Sequence, residues 1–525
     1  MLFTSHNFII FIILLFIIYY LIPKRLQWPV LLIASYTFYY FAGIRYLVYI
    51  LFTTLSSYLI TRKMDSLRGA QEAYLKERKD SLPREEKKAY KAQMKRKRFF
   101  WLKICLCLNF GILAILKYTD FAIYNINMVF NREMSFFQFT LPLGISFYTF
   151  QTMGYVIDVY REKYPVEKNL GKLALFISFF PQLIQGPISR FDDLKDTMFS
   201  EHHFDRERIT FGITRILWGY FKKLVIADRL LIAVNTIVGN PDTYQGAYVL
   251  LGMFYYALEL YSDFTGGIDI TIGIAQVLGI RVKENFIRPY FSKSIVEYWR
   301  RWHISLGTWF KEYMFYPISV CKPMLNLSKA CRTRLGENIG KRIPVYLATL
   351  VVWFTTGFWH GGKWNFIVWG LGNGIIILIS QECAPLYEKF HNKYHIQHTF
   401  YYRLFQVIRT FWLMSFLRTF DCYRDVTTTF KMYGSVFSDL NLADVLGGGF
   451  MGLGLKVSDY IILLLSVTIL LIISLIQRRG SVRVKLASKP ILFRYAVYII
   501  LVFSILIFGA YGIGYDASQF IYSQF

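Results

Sequence analysis

The chain is poor in charge, and within that charge it is poor in acidic residues. Only 18% of the 525 residues are charged, and 34 Asp and Glu stand against 60 Lys and Arg, so the formal net charge is +26. Hydrophobic residues make up 55%, a share that soluble domains rarely reach. We interpret the basic excess as the bias that holds cytoplasmic loops of a membrane protein in place, and we expect no nucleic-acid partner.

Cysteine is also scarce, and its spacing excludes two kinds of site. The closest pair, Cys105 and Cys107, is too tight for a zinc knuckle and has no matching second pair. No CxxC occurs, so the sequence predicts neither a metal site nor a disulfide framework. The cysteines are Cys105, Cys107, Cys321, Cys331, Cys383 and Cys422.

Several catalytic motifs are missing as well. No HExxH is present, which excludes a zincin, and no GxSxG elbow is present, which argues against a serine hydrolase. The internal repeats usual in transporters are absent. The N-terminus lacks a basic region and an A-x-A-like cleavage site, so we expect its apolar run to be an uncleaved first span.

What the chain does contain is apolar runs of about 15 to 22 residues, the length of spanning helices. Strands of a membrane barrel need only about 10 alternating residues, so the runs predict an all-α polytopic membrane protein. We expect about eleven spans in one domain, residues 1–525, with some segments re-entrant. The candidate segments lie near residues 7–22, 29–43, 46–61, 99–118, 136–157, 172–188, 211–236, 245–280, 343–358, 364–381, 404–420, 457–477 and 489–512.

Two polar segments interrupt this pattern. Residues 62–98 carry 14 Lys or Arg against 6 Asp or Glu, which predicts a solvated, partly helical cytoplasmic loop. Residues 285–318 are amphipathic, too charged to cross, and contain Pro289 and Pro317 near their ends. We expect this second segment to form a half-buried or re-entrant helical layer on the cytoplasmic side.

Two histidines occur in membrane-like surroundings, and each follows a tryptophan. His303 lies in WRRWHISLGTWFKEYMFYPI (299–318), and His360 lies in FTTGFWHGGKWNFIVWGLGNG (354–374). His360 falls between two apolar helices, where Gly361 allows close approach of another group. A neutral imidazole can take the proton of an alcohol that attacks a thioester. A structural role and haem ligation are the alternatives.

Acidic residues inside an apolar segment are also candidates for a site. Glu259 and Asp263 occupy positions i and i+4 of ALELYSDFTGGIDITIGIAQVLGI (257–280), on one helix face. Such residues often line a pathway through a membrane. The more frequent alternative is that they pair with arginine and hold the fold together.

A set of longer motifs resembles a known family. They are LPLGISFYTFQTMGYVIDVYR (141–161), FFPQLIQGPISR (179–190), YSDFTGGIDITIGIAQVLGI (261–280), NFIRPYFSKSIVEYWRRWHISLGTWFKEYMFYPI (285–318), WHGGKWNFIVWG (359–370) and the terminal FIYSQF (520–525). In these the chain resembles the membrane-bound O-acyltransferases. The similarity is strongest to the bacterial branch with the membrane subunit of alginate O-acetylation, peptidoglycan O-acetyltransferases and teichoic acid D-alanyl transferases.

The resemblance implies a ring of tilted helices around a central tunnel. His360 matches the family's catalytic histidine and His303 its second histidine. The family's terminal motif ends FIYFQF or similar, and Ser523 interrupts it here. Trp302 and Trp359 are expected to wall the tunnel and exclude water, which would hydrolyse a thioester.

The same resemblance implies the partners. The acyl donor would be acetyl-CoA or an acyl-phosphopantetheine carrier protein on the cytoplasmic side, with no tightly bound cofactor. The cations that could receive its phosphates are Arg288, Arg300, Arg301 and Lys311. A separate extracytoplasmic SGNH-like acyltransferase and a bacterial cytoplasmic membrane location are expected by analogy.

The function predicted from all of this is O-acylation, most readily O-acetylation, of an exported polysaccharide or cell-wall polymer. Asp263 is included with the tryptophans and basic residues above as a candidate for substrate binding or the tunnel wall. Two alternatives stay open at this point: a transporter of a lipid-linked or acylated molecule without chemistry, and an acyltransferase that acts on lipid or protein.

Overall fold

The computed structural model describes residues 3–511, and no β-strand occurs among them. The first helices are α1 (His6–Leu21), α2 (Gln27–Ala42), α3 (Leu47–Glu77), α4 (Arg84–Phe130), α5 (Ile145–Tyr160), α6 (Leu170–Ser178), α7 (Phe180–Gln185), α8 (Phe191–Met198), α9 (Arg206–Tyr220), α10 (Asp228–Gly239) and α11 (Ala247–Val277). Then follow α12 (Ile295–Arg301), α13 (Ile304–Phe310), α14 (Tyr316–Ser319), α15 (Lys322–Leu335), α16 (Glu337–His360), α17 (Trp364–Glu382), α18 (Ala384–Tyr394), α19 (Phe400–Tyr423), α20 (Val426–Ser438), α21 (Leu442–Leu446), α22 (Val457–Gln477), α23 (Val482–Ala487) and α24 (Ile491–Phe508). The all-α architecture expected from the sequence is confirmed.

The helices form two compact units. The first contains the chain up to Thr210 together with Ile274–Lys283, and the second contains Phe211–Gly273 and the chain from Glu284 onward. Both candidate histidines belong to the second unit. The single-domain organisation stays a prediction, since a division by internal packing does not test it.

Six of the described helices are long and apolar enough to cross a bilayer. They are Ile44–Glu77, Arg84–Phe130, Glu337–His360, Trp364–Glu382, Val457–Gln477 and Ile491–Phe508. Only 6% of the apolar stretch of α24 is buried inside the protein, so lipid must cover the rest. The chain is therefore a multi-pass membrane protein, and the count of about eleven spans stays a prediction.

The basic segment 62–98 is almost entirely helical, which differs from the loop expected for most of it. α3 continues to Glu77 and α4 begins at Arg84, so only residues 78–83 form the turn of a helical hairpin. Lys, Glu, Ala and Gln are good helix formers, and their summed propensity outweighs the repulsion among the basic residues. Tyr74 and Tyr90 pack near the tip with their ring centroids 4.2 Å apart.

Two expected spans are shorter or broken in the structure. The segment expected at 136–157 is helical only from Ile145, where α5 begins. The segment expected at 172–188 is divided into α6 and α7 at Phe179. Pro181 explains the break, because proline is accepted in the first turn of a helix but not in its interior.

The amphipathic segment 285–318 contains no helix that could span a membrane. Its helices α12, α13 and α14 have 7, 7 and 4 residues. A π-helical turn, Lys311–Phe315, joins the last two. The turn between α12 and α13 lies inside the second unit and carries His303.

Candidate active site

His303 lies in the turn between α12 and α13, where its backbone is left-handed with φ of 47°. Asn285 holds this turn in two ways. Its carbonyl accepts from the N–H of Ile304 at 3.0 Å, and its side-chain oxygen accepts from the N–H of Ser305 at 2.9 Å. Asn285 gave no signal in the sequence, because its partners follow it by about twenty residues and only the tertiary fold brings them together.

The amide of Asn285 also fixes the tautomer of His303. Because its oxygen accepts from Ser305, the nitrogen Nδ2 is the atom that faces His303 Nδ1, at 3.3 Å. An amide nitrogen only donates, so Nδ1 must accept and the proton of the neutral ring is on Nε2. His303 is therefore arranged to donate a hydrogen bond from Nε2.

Burial keeps His303 neutral. The side chain is 3% exposed, and loss of water around the ring lowers the pKa of His303 to about 3, with the positive charge of Arg418 adding to the effect. The imidazole is thus uncharged at any physiological pH. A neutral ring suits hydrogen bonding to an alcohol and does not bind an anion.

Aromatic rings enclose His303. Its ring centroid lies 5.0 Å from that of Phe264 and 6.2 Å from that of Trp359, both in edge-on contact. Trp302 lies 2% exposed beside the same Phe264 ring, at 6.1 Å. Trp302 and Trp359 therefore lie in the wall around this histidine, and neither indole faces open solvent.

His360 is the last residue of α16, and α17 begins at Trp364. Residues 361–363 separate two helices that could each cross a membrane. The predicted position of His360 at a helix junction is therefore confirmed. The His360 ring lies 4.8 Å from Trp369 and 6.3 Å from Phe366, and the side chain is 6% exposed. These neighbours cover most of the imidazole, and the tunnel implied by the resemblance stays a prediction.

Two glycines set the packing of α16 on α17 next to His360. A Cβ on Gly357 would lie 2.2 Å from the backbone oxygen of Phe366, and one on Gly370 would lie 2.3 Å from that of Trp353. The two helix backbones are therefore in direct contact. This contact holds the end of α16, and with it the imidazole, against the start of α17.

We expect Gly357→Ala to force these helices apart and lower stability by about 1–3 kcal/mol or more. Thermal unfolding of the purified protein in detergent measures the change. Gly111→Ala is the matched control, because a Cβ there meets no atom within 4 Å and the protein should keep its melting temperature or gain slightly. Equal melting temperatures for both variants would contradict the close contact.

Trp359 brings the two histidines into one site. It precedes His360 in the chain, with the two rings 5.0 Å apart, and its indole also contacts His303 at 6.2 Å. His303 and His360 are 57 positions apart in sequence, and both contact Trp359 within the second unit. Two buried imidazoles around one indole can bind and activate a hydroxyl group.

Arg418 of α19 is a residue of this site that the sequence reasoning missed. Its guanidinium carbon lies over three indole rings, 5.6 Å from Trp299, 5.1 Å from Trp302 and 4.8 Å from Trp369. Asp421 pairs with it at 3.3 Å. A buried arginine inside the apolar segment 404–420 was the available signal, since charges there are rare and functional.

The four basic residues expected to bind donor phosphates fall into two groups. Arg301 Nη1 donates to the carbonyl of Arg288 at 3.4 Å, so these two lie together. Burial first, then the charges of Arg301 and Arg478, lower the pKa of Arg288. Arg300 lies on α12 and Lys311 begins the π-helical turn, and both side chains are exposed. Arg288 is therefore close enough to Arg301 and Arg478 to be affected by the charge of both. Arg478 was not among the residues predicted from the sequence.

Asp263 is held in a buried ion network. It accepts from Lys223 Nζ at 2.6 Å, and Asp228 lies 2.8 Å from the same nitrogen. This is the structural alternative considered for the acidic pair, with a lysine in place of the expected arginine. The next residue, Phe264, contacts the His303 ring, so the network supports the wall of the site.

No group of three or more His, Cys, Asp or Glu side chains converges as a metal site requires, within residues 3–511.

Comparison with known proteins identifies the family of the chain. The model of the membrane-bound O-acyltransferase family matches residues 168–330. A probable alginate O-acetylase AlgI of Pseudomonas syringae pv. tomato is 32% identical over 466 residues, which cover 85% of this chain and 78% of the relative. The chain belongs to the membrane-bound O-acyltransferase family. The resemblance found in the sequence motifs is thereby confirmed, and the protein is an acyltransferase.

Two further relatives widen the range of acceptors within the family. A peptidoglycan O-acetyltransferase of Helicobacter pylori is 28% identical over 387 residues, 69% of this chain and 66% of the relative. A teichoic acid D-alanyltransferase of Bacillus subtilis is 29% identical over 266 residues, 48% of this chain and 61% of the relative. The family match ends at residue 330, before His360, so the role of that histidine is argued from the structure. The terminal FIYSQF (520–525) lies outside the described residues.

Proposed function

We propose that this acyltransferase moves an acyl group, acetyl in the first place, from a cytoplasmic thioester to hydroxyl groups of an exported polysaccharide or cell-wall polymer. The observation that carries the proposal is the pair of buried histidines joined by Trp359, at a break between two membrane helices. The names of the relatives support the class of acceptor, since all three are named for acyl transfer to alginate, peptidoglycan or teichoic acid.

The reaction is a direct transfer in this proposal. Neutral His360 takes the proton of the acceptor hydroxyl while the oxygen attacks the thioester carbonyl. The ester C–O bond forms, the C–S bond breaks, and the leaving thiolate receives a proton from the imidazolium, which returns the base to its neutral form. His303 orients the acceptor oxygen with its Nε2–H, and the surrounding tryptophans exclude water that would otherwise consume the thioester.

The donor in this proposal is acetyl-CoA or an acyl-phosphopantetheine carrier protein, and the protein holds no tightly bound cofactor. Arg288, Arg301 and Arg478 supply the positive potential for the donor's phosphates. Their mutual repulsion in the empty protein is relieved when a polyanion binds. Arg300 and Lys311 would add to the field from exposed positions.

Arg288→Gln should raise the donor KM by about tenfold and leave kcat nearly unchanged, because the side chain would bind phosphate equally in the ground and transition states. Steady-state kinetics with acetyl-CoA measure both constants. Lys293→Gln is the control for a lost exposed charge in the same segment and should leave the donor KM within twofold. An unchanged KM for the Arg288 variant would end the assignment.

Two further parts of the proposal concern location. The protein lies in the bacterial cytoplasmic membrane, where a thioester made inside and a polymer exported outside meet on one enzyme. An extracytoplasmic SGNH-like acyltransferase receives or delivers the acyl group on the outer side. Both rest on the polymer acceptors named for the relatives and on the multi-pass architecture.

Mass spectrometry of surface polymers tests the function directly. In a strain that lacks this protein, O-acetyl esters should disappear from one surface polymer and return when the wild-type chain is supplied. Membrane lipids and proteins from the same strains serve as the comparison. If the polymers keep their esters and a lipid or protein loses an acyl group, the acceptor proposed here is wrong.

A further inference from the structure

The α3–α4 hairpin changes from apolar to polar at the same level on both helices. Along α3 the apolar residues end near Thr61, and along α4 they begin at Phe99. Contacts between the helices fix this register: Ser57 Oγ lies 3.9 Å from Cys105 Sγ. The common level therefore marks where the hairpin leaves the hydrocarbon core. At about 1.5 Å per residue, the 47-residue α4 is about 70 Å long and extends well beyond a hydrocarbon core of about 30 Å.

A groove of about 420 Å³ opens on the hairpin at this level. Half of the side chains that line it are cationic and half are apolar or aromatic. The lining residues are Lys63, Leu67, Arg96, Lys97, Phe100 and Trp101. Basic and tryptophan side chains together are typical of the boundary between a membrane and water.

The three cations of the groove have no acidic partner within residues 3–511, although their neighbours do. Arg68 pairs with Asp65 at 2.9 Å, and Arg98 pairs with Glu162. The side chains of Lys63, Arg96 and Lys97 are exposed and make no hydrogen bond or ion pair with a described residue. Three uncompensated charges around one groove produce a local positive potential that favours an anion.

We propose that this groove binds the headgroup of an anionic phospholipid. Its phosphate lies among Lys63, Arg96 and Lys97, and its glycerol and upper acyl chain lie along Phe100 and Trp101. A soluble phosphate would use the cations but leave the aromatic side unused, whereas a lipid uses both and is present at this level of the membrane. The inference stands apart from the acyl-transfer site, since it concerns only the first unit.

Native mass spectrometry of the full-length protein in detergent tests the proposal by counting bound lipids. With added phosphatidylglycerol we expect one lipid to bind on the order of 10- to 100-fold more tightly than phosphatidylcholine. The variant K63Q/R96Q/K97Q should lose this preference. The control K79Q/K88Q/K91Q removes the same charge from exposed positions on the same hairpin, farther from the apolar level, and should keep it.

Two further experiments distinguish a lipid headgroup from free phosphate as the ligand of the groove. Trp101→Ala should weaken phosphatidylglycerol binding, because the apolar side of the site is lost. Inorganic phosphate at millimolar concentration should fail to displace the bound lipid. If K79Q/K88Q/K91Q lost phosphatidylglycerol binding as fully as K63Q/R96Q/K97Q, the lipid would be attracted by the overall charge of the hairpin and not by a specific site. Displacement by inorganic phosphate, or equal binding of phosphatidylcholine, would also overturn the proposal.

Discussion

Replacing His360 with Gln should abolish acyl transfer while the protein still binds its donor. Loss of a general base typically costs about 10²- to 10⁴-fold in kcat, and the ring neighbours of His360, which are Trp359, Phe366 and Trp369, cannot take a proton in its place. Glutamine fills most of the volume of the ring beside Trp369, so the helix junction should keep its packing. Rates of thiol release from acetyl-CoA in the presence of the polymer measure the loss, and calorimetric titration with acetyl-CoA measures donor binding.

His391→Ala is the matched control for this experiment. His391 is half-buried on α18, where its Nε2 lies 2.9 Å from the hydroxyl of Tyr402, and it is not part of the indole wall, so its removal should leave kcat unchanged. If the His360 variant keeps its rate of transfer, the imidazole is structural and the reaction proposed here is wrong. If it loses donor binding as well as turnover, its role is to shape the pocket and not to move a proton.

The architecture could be predicted from the sequence because it depends on long local patterns. Apolar runs of spanning length predict membrane helices wherever they occur, and two adjacent glycines after His360 predict where a helix must stop. The hairpin at 62–98 shows that charge does not predict secondary structure. A basic bias indicates which side of the membrane a segment occupies, but helix propensity decides whether it is coiled or helical.

The site could be predicted only in part, because its supports come from distant segments. The histidines and their tryptophans are visible as unusual residues within apolar sequence. The amide of Asn285 is not, since its function is to hold a turn 18 residues away that exists only in the folded chain. The partner of Asp263 was uncertain for the same reason: the sequence offers many cations, and only packing places Lys223 beside it.

The second large effect is expected at Arg418. We expect Arg418→Gln to reduce kcat about 100-fold with a smaller change in donor KM, because the guanidinium holds the indoles that flank the two imidazoles. Arg418 itself is a positioning residue, since its guanidinium lies over the indoles of the wall. Loss of packing alone could also reduce kcat, so a second measurement has to identify its effect on the histidine.

The pH dependence of turnover provides that measurement. Burial is the larger cause of the low pKa of His303, and the charge of Arg418 lowers it further, so removing the charge raises that pKa while burial still holds it below the ordinary value of about 6.5. At a given acidic pH, a larger fraction of His303 is therefore protonated in the variant than in the wild type. Protonated Nδ1 can no longer accept from Asn285. Turnover of Arg418→Gln should therefore fall at a higher pH than that of the wild type.

Two control variants separate charge, shape and stability. Arg418→Lys keeps the charge but loses the planar contact with the indoles, so its kcat should fall while the acid side of its pH profile stays at the wild-type position. Arg418→Gln leaves Asp421 buried without its partner, which destabilises the fold, and the double variant R418Q/D421N should recover stability without recovering kcat. An unshifted pH profile in Arg418→Gln would show that the arginine only packs the tryptophans. A shifted profile would show that Arg418, besides holding the indoles of the wall, adds to the effect of burial in keeping His303 neutral.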